Sequence, residues 1–242
     1  MKEQHFFYVP NAACAGELPE DEAKHAIRVL RMVSGDKLFL VDGVGNFYEA
    51  VMEQVTNKKA YYRITQKMPQ QRTWRGHIHL AIAPTKMIDR MEWMVEKAVE
   101  VGVDEVSFLD TAFSERKVIR IDRLEKIAVA AMKQSRKGWL TKINPMVPFD
   151  VFFNRPFTGL KCMAHCYLEK ERVDLFSLLQ NVQDDECQDI TVLIGPEGDF
   201  SIDEVVNATR HGFTGVSLGT SRLRTETAGL AAVFMAHLAR RI

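Results

Sequence analysis

The chain has 242 residues, of which 46% are hydrophobic, with 32 acidic and 32 basic side chains. This length fits one large domain or two modest ones. No stretch resembles a membrane span or a signal peptide, so we expect a soluble cytoplasmic protein. The cysteines at positions 14, 162, 166 and 187 form no CxxC pair, which predicts reduced thiols and no metal site.

The balanced total conceals a segregation of charge along the chain. Residues 112–142 contain nine Lys or Arg against three acids, whereas residues 169–204 contain eleven acids against two bases. The basic segment can neutralise the phosphates of a nucleic acid. It can equally be the solvated face of a helix, and charge patterning alone leaves both interpretations open.

Residues 1–72 have the pattern of a small β-rich domain. Short runs of β-branched and aromatic residues, separated by turn residues, begin at His5, Lys37, Phe47 and Ala60. One helix is predicted between Pro19 and Gly35, with three acids in its first turn that complement the helix dipole. The polar stretch from Gln66 predicts a domain boundary, after which a second domain covers residues 73–242.

In the second domain, strand-like and helix-like segments alternate, which predicts an α/β fold with a parallel sheet. Strands are expected at 78–84, 106–110, 159–169, 190–195 and 214–219. Helices are expected at 87–102, 121–137, 201–212 and from the LRTETA run to the C-terminus. Ser201 and Glu204 have the spacing of a capping box, which predicts a helix start at that point.

Two glycine-containing loops follow predicted strands, GPEG at 195–198 and SLG at 217–219. The carboxyl ends of parallel strands form the edge at which such sheets bind ligands. Glycine lets the main chain approach a bound molecule closely, which suits a nucleoside-like ligand. Neither GxGxxG nor GxxxxGK[ST] occurs, so hydride transfer and nucleotide hydrolysis are disfavoured.

The order of GPEG, a capped helix, SLG and LRTETA at 223–228 resembles the SPOUT methyltransferases. It is most similar to the RsmE type, which methylates N3 of a uridine in small-subunit (16S) ribosomal RNA. HAIRVLR from His25 and AAMKQSRK from Ala130 are also similar to segments of that family. The resemblance implies a C-terminal trefoil knot, a PUA-like β-barrel at residues 1–72 that binds RNA, S-adenosylmethionine as cofactor, and a homodimer.

The resemblance also implies roles for individual residues. The implied cofactor contacts are Leu193, Ile194, Gly195, Pro196, Glu197, Gly198, Leu218, Gly219, Leu223, Arg224 and Thr225. The candidate catalytic residues are Arg224, which would stabilise a uridine anion, and Glu226 and Glu197 as possible bases. The implied RNA contacts are Arg28, Arg31, Lys86, Arg90, Arg116, Lys133, Gln134 and Arg136.

Two departures from the family pattern fall in the cofactor loops. Asp199 stands where a second glycine is usual, and Thr220, Ser221 and Arg222 replace a Pro-Arg-Ile sequence. Two other functions fit part of the pattern. One is a SPOUT enzyme that methylates ribose 2′-hydroxyl groups, and the other is a noncatalytic RNA-binding protein of ribosome assembly.

Overall fold

A computed structural model describes residues 5–181 and 188–242. The chain divides into two compact units, Met1–Arg72 with Val129–Leu140, and Thr73–Ala128 with Thr141–Ile242. The sequence pattern assigned Val129–Leu140 to the second domain, and the structure groups this segment with the first unit. Two main-chain hydrogen bonds join this segment to the rest of the first unit, from Gly45 N–H to Gly138 O at 2.8 Å and from Leu140 N–H to Gly43 O at 2.9 Å.

The first unit contains a four-stranded sheet, which confirms the predicted small β domain. Its strands are β1 (Phe6–Tyr8), β2 (Lys37–Val41), β3 (Asn46–Val55) and β4 (Ala60–Pro69). They lie in chain order, with β1 parallel to β2 and the other neighbours antiparallel. Phe7, Leu38, Leu40 and Met52 form part of its buried core.

The helix predicted between Pro19 and Gly35 is confirmed. It consists of α2 (Glu20–Lys24), which continues directly into a π-helical turn at His25–Val29, and a short helix that was not predicted, α1 (Ala12–Ala15), precedes it. Arg31 then adopts φ 52°, and Met32 N–H bonds to Ala26 O. A left-handed residue reverses the chain direction, so the helix ends before Gly35 is reached.

The second unit contains a seven-stranded sheet in which every neighbouring pair is parallel, as predicted. The strand order is β7-β6-β5-β10-β8-β11-β9. The strands are β5 (Ile78–Ile82), β6 (Glu105–Asp110), β7 (Lys142–Pro148), β8 (Leu160–Ala164), β9 (Val173–Asp174), β10 (Ile190–Ile194) and β11 (Thr214–Ser217). Strands β5 and β10 are buried throughout, as expected of strands covered on both faces.

Helices connect the strands of this sheet. They are α3 (Ile88–Val101), α4 (Ile121–Gln134), α5 (Phe149–Phe152), α6 (Leu175–Gln180), α7 (Ile202–Arg210) and α8 (Thr225–Arg240). The predicted capping box is confirmed, since Ser201 and Glu204 exchange both of its hydrogen bonds at the start of α7. Helix α4 ends three residues earlier than expected, because Arg136 takes φ 53°. In the described ranges, no helix is long and apolar enough to cross a membrane.

A buried polar cluster surrounds Glu105 at the start of β6. Its carboxylate accepts hydrogen bonds from Asn144 at 2.6 Å and Arg155 at 2.9 Å, and lies 3.1 Å from His77 Nε2. Burial favours the neutral acid, but these hydrogen bonds outweigh it and hold the pKa of Glu105 well below its usual range. Nearby, burial lowers the pKa of His79 to about 3.

The thiols are unpaired where the structure describes them. Cys14, Cys162 and Cys166 are free, and Cys187 lies outside the described residues. Burial raises the pKa of Cys162 to about 12. Within residues 5–181 and 188–242, no three His, Cys, Asp or Glu side chains are arranged to hold a metal ion.

Candidate active site

A cavity of about 610 Å³ lies at the carboxyl edge of the parallel sheet. Its walls come from the loops after β8, β10 and β11 and from the start of α8, and its size is typical of sites for small organic ligands. The predicted cofactor residues that line it are Ile194, Gly195, Pro196, Glu197, Gly198, Leu218, Gly219, Leu223, Arg224 and Thr225.

Leu193 is the one member of the predicted cofactor set that does not line the cavity. Its side chain is fully buried and packs in a core cluster with Phe200 and Val205. Successive side chains of a strand point to opposite faces of the sheet, so Leu193 and Ile194 cannot both face the ligand. Leu193 therefore supports the loop from below.

The loop after β8 is a part of the site that the sequence analysis missed. His165, Cys166 and Arg172 line the cavity beside the GPEG loop. A usable signal existed, because residues 159–169 were predicted to form a strand. In a parallel sheet the carboxyl end of that strand must reach the same edge as GPEG.

Asp199 joins the loop after β8 to the GPEG loop. Its Oδ2 accepts a hydrogen bond from Cys166 N–H at 2.7 Å, and its Oδ1 accepts one from Phe200 N–H at 2.8 Å. The Tyr167 hydroxyl also donates to Phe200 O at 2.7 Å. Asp199 has φ 66°, a left-handed conformation that aspartate tolerates better than most residues. Asp199 thus adopts a conformation that glycine also accepts, and its side chain adds a cross-link between the two loops.

Two further loops are fastened to the same edge. Glu197 Oε1 accepts a hydrogen bond from the main-chain N–H of Lys86, in the loop after β5, at 3.0 Å. Arg116, in the loop after β6, donates to the carbonyls of Thr85 and Lys86. Glu197 and Arg116, predicted as a base and an RNA contact, are therefore engaged in holding loops together.

Arg224 and Glu226 stand at the start of α8 and both line the cavity. Arg224 is exposed, and its guanidinium forms no hydrogen bond or ion pair with any residue that the structure describes. Glu226 is only 7% exposed, and its Oε1 lies 3.3 Å from Arg90 Nη1. Arg90, predicted to contact RNA, also lines the cavity. The arrangement places the guanidinium of Arg224, unpaired within the described ranges, beside a buried carboxylate and its partner.

The remaining predicted RNA contacts differ in how exposed they are and in whether they form ion pairs. In the second unit, Lys86 is exposed and pairs with Glu115 at 2.9 Å. In the first unit the exposed members are Arg28, Arg31, Gln134 and Arg136. Lys133 is half-buried and pairs with the buried carboxylate of Glu22. Its charge is therefore engaged within the unit, and its contact with RNA stays a prediction.

Comparisons with known proteins identify the family to which the chain belongs. A family model described as an RNA methyltransferase domain matches residues 72–237, and one described as an RNA methyltransferase PUA domain matches residues 18–65. The crystal structure of a probable rRNA-methyltransferase from Porphyromonas gingivalis is 44% identical, covers 98% of both chains and has a TM-score of 0.88.

Two further relatives are more distant in sequence. Ribosomal RNA small subunit methyltransferase E from Neisseria gonorrhoeae, crystallised with S-adenosyl methionine, is 25% identical over 96% of this chain and 95% of its own, with a TM-score of 0.80. The protein of the same name from Rickettsia conorii is 25% identical over 92% of this chain and 89% of its own. The chain therefore belongs to the RNA methyltransferase family, and within it to the RsmE type.

Proposed function

We propose that the protein transfers a methyl group from S-adenosylmethionine to N3 of a specific uridine in 16S ribosomal RNA. The observation that carries the proposal is the cavity whose walls are the GPEG and LRTETA loops, with the uncommitted Arg224 at its margin. Family membership supports it, since full-length relatives bear the name ribosomal RNA small subunit methyltransferase E.

The residues of the cavity suit the chemistry of this cofactor. Ile194, Leu218 and Leu223 offer apolar surface for an adenosine ring. The carboxylates of Glu226 and Asp199 complement the positive charges of a sulfonium and an α-amino group. Arginines at the rim, such as Arg172 and Arg222, suit the carboxylate of the amino-acid moiety. The donor set thus matches a ligand that carries charges of both signs on an apolar body.

When bound, S-adenosylmethionine supplies an electrophilic methyl group on a positively charged sulfur. The protein must make the acceptor nucleophilic, because neutral uridine carries a proton on N3. The pKa of N3 lies roughly two units above neutral pH, so forming the anion at neutral pH costs about 3 kcal/mol, at about 1.36 kcal/mol per unit. We assign to Arg224 the stabilisation that offsets this cost, because its guanidinium can donate hydrogen bonds to O2 or O4 of the uridine, where negative charge develops.

The proton of N3 needs an acceptor, and Glu226 is the better candidate of the two predicted bases. Its carboxylate lines the cavity two residues from Arg224, beside Arg90. Glu197 is committed to the Lys86 N–H and is assigned a role in holding the loops. Positioning supplies the rest of the acceleration, because an in-line transfer requires donor and acceptor to be aligned.

Further parts of the proposal follow from the substrate and the family. N3 lies on the Watson–Crick edge, so the target base must be unpaired or swung out of its stack. The exposed cations Arg28, Arg31 and Arg136 would hold the surrounding RNA by its phosphates. We also propose that the C-terminal part of the sheet forms a trefoil knot, and that the protein is a homodimer located in the cytoplasm.

The test begins with the cofactor and ends with the modified nucleotide. Calorimetric titration should detect binding of S-adenosylmethionine to the purified protein. Deleting the gene should remove one methylated uridine from small-subunit RNA, and the purified protein should restore it. Nucleoside mass spectrometry separates a methylated base from a methylated ribose. Binding of RNA without any turnover would favour the assembly-protein alternative.

A further inference from the structure

The ring of Phe113 is exposed next to the GPEG loop. Phe113 lies in the segment between β6 and α4, and half of its surface, 50%, is open to solvent. Its Cβ lies 3.2 Å from the position that a Cβ on Gly198 would occupy, so the ring adjoins the cofactor loop. Phe113 does not itself line the cavity. An aromatic face is therefore presented beside the mouth of the proposed active site.

Hydrogen bonds fix the backbone on both sides of this ring. Ser114 Oγ accepts from Thr111 N–H at 3.0 Å, and both residues are buried. Ala112 N–H donates to Glu204 Oε1 at the start of α7, at 2.8 Å. Arg116 is anchored on the carbonyl of Thr85 at 3.0 Å. A segment held at these points displays its ring in a fixed position, which lowers the entropy cost of binding a partner there.

Three cations lie close to Phe113 in the sequence. Residues 110–122 contain Arg116, Lys117 and Arg120 together with the acids Asp110, Glu115 and Asp122, so the segment has no net charge. Lys117 and Arg120 do pair with Asp110 and Asp122, but exposed pairs of this kind are weak and a phosphate can compete for them. Aromatic rings next to cations are how proteins commonly hold single-stranded nucleic acid.

We propose that Phe113 stacks on an unpaired nucleobase of the RNA, adjacent to the nucleotide that is methylated. This inference rests on the proposed function. The target uridine must turn its N3 into the cavity, and Phe113 lies outside the cavity lining, so the stacked base is a different one. The ring holds that neighbour open, which helps keep the target unpaired.

The test compares four variants for affinity to a small-subunit ribosomal RNA transcript at one fixed salt concentration. Phe113→Ala should weaken binding about 5- to 150-fold, the range that stacking of one base provides. Phe113→Trp should stay within about threefold of the original, whereas Phe113→Leu should bind nearly as weakly as the alanine variant. Val118→Ala is the matched control, since Val118 is an exposed apolar residue of the same segment.

Each other outcome overturns the inference. Equal affinity for Phe113→Ala and the original protein removes the contact, and full affinity for Phe113→Leu shows apolar contact without stacking. A loss as large in Val118→Ala shows that the effect is not specific to the aromatic ring. A changed oligomeric state of Phe113→Ala in sedimentation assigns the surface to protein association. If Phe113→Ala does not fold, the RNA affinities of Phe113→Trp and Phe113→Leu still test the inference, because only stacking predicts that the tryptophan variant binds more tightly.

The same experiments separate this inference from the proposed function. RNA affinity is measured without turnover, and affinity for S-adenosylmethionine is measured on every variant and should be unchanged. If the original protein methylates RNA and Phe113→Ala binds RNA as tightly as the original, the proposed function stands and only the proposed stacking contact is excluded. An original protein that binds neither S-adenosylmethionine nor RNA contradicts both.

Discussion

The carboxylate of Asp199 accepts a hydrogen bond from the main-chain N–H of Cys166, 33 positions away, at 2.7 Å. We predict that Asp199→Gly, which keeps the left-handed backbone and removes the cross-link, weakens binding of S-adenosylmethionine about fivefold. A net contribution of about 1 kcal/mol per hydrogen bond gives this size. Asp199→Ala should lose more, because alanine costs about 1 kcal/mol in that conformation. Calorimetric titration measures both.

Asp199→Asn is the matched control for charge. Asparagine tolerates the same backbone and can still accept one of the two hydrogen bonds. If this variant binds as weakly as Asp199→Ala, charge rather than loop position governs affinity. Unaltered affinity in Asp199→Gly would contradict the proposed role of the cross-link.

Arg224→Ala should lower the rate of methyl transfer about 10²- to 10³-fold, the usual cost of removing one donor to a developing anion. Its melting temperature should not change, because the side chain is exposed and has no partner among the described residues. Raising the pH from about 7 to 9 should recover part of the loss, since more uridine is then already ionised. Single-turnover assays across this range provide the measurement.

Arg224→Lys separates charge from geometry. Lysine keeps the positive charge and loses the planar fork, so its rate should fall between the other two. A near-normal rate for Arg224→Ala at neutral pH would exclude Arg224 from the chemistry.

The buried His79 should make the stability of the protein fall below pH 6.5. Its pKa is about 3 in the folded state against 6.5 when unfolded, because burial disfavours the charged ring. Between these values the unfolded chain binds more protons, so the free energy of unfolding falls as the pH is lowered, by at most about 1.4 kcal/mol per unit. Urea unfolding of the original and His79→Gln at pH 7.0, 5.5 and 4.5 measures this slope.

The neighbouring groups act in other pH ranges. The hydrogen bond to Glu105 raises the pKa of His77, so its contribution is complete below pH 6.5 and is lost as the pH rises above that value. The lowered pKa of Glu105 stabilises the fold above its unfolded value of 4.5 and is lost below it. If the free energy of unfolding changed equally between pH 5.5 and 4.5 in His79→Gln and in the original protein, His79 would not be the source.

Two cations of the first unit should respond differently to mutation. Arg28 is exposed, so Arg28→Gln should weaken RNA binding and lower the slope of log affinity against log salt by about 0.7–0.9. Lys133→Gln should leave that slope unchanged and destabilise the protein by about 1–3 kcal/mol, because the buried Glu22 loses its partner. Salt titrations of RNA affinity and urea unfolding test both variants. A reduced salt slope in Lys133→Gln would show that Lys133 contacts RNA.

Much of the fold was predictable from short stretches of sequence. Helix α3 (Ile88–Val101) lies within the helix predicted at 87–102, and α7 starts where the spacing of Ser201 and Glu204 predicts. Such signals are readable because capping, periodicity and turn chemistry act between residues a few positions apart. The cavity edge was predictable for the same reason, since GPEG directly follows a strand and parallel strands end together.

Other features depend on which distant segments meet, and no local pattern encodes that. Strand β10 lies between β5 and β8, and the Cys166 N–H meets Asp199, only because the chain folds back over long separations. The same holds for charge. Lys133 and Arg28 look alike in the sequence, yet one is neutralised by Glu22 and the other remains exposed. A side chain's type is fixed by its codon, but its partners, and hence its availability to RNA, are set by long-range packing.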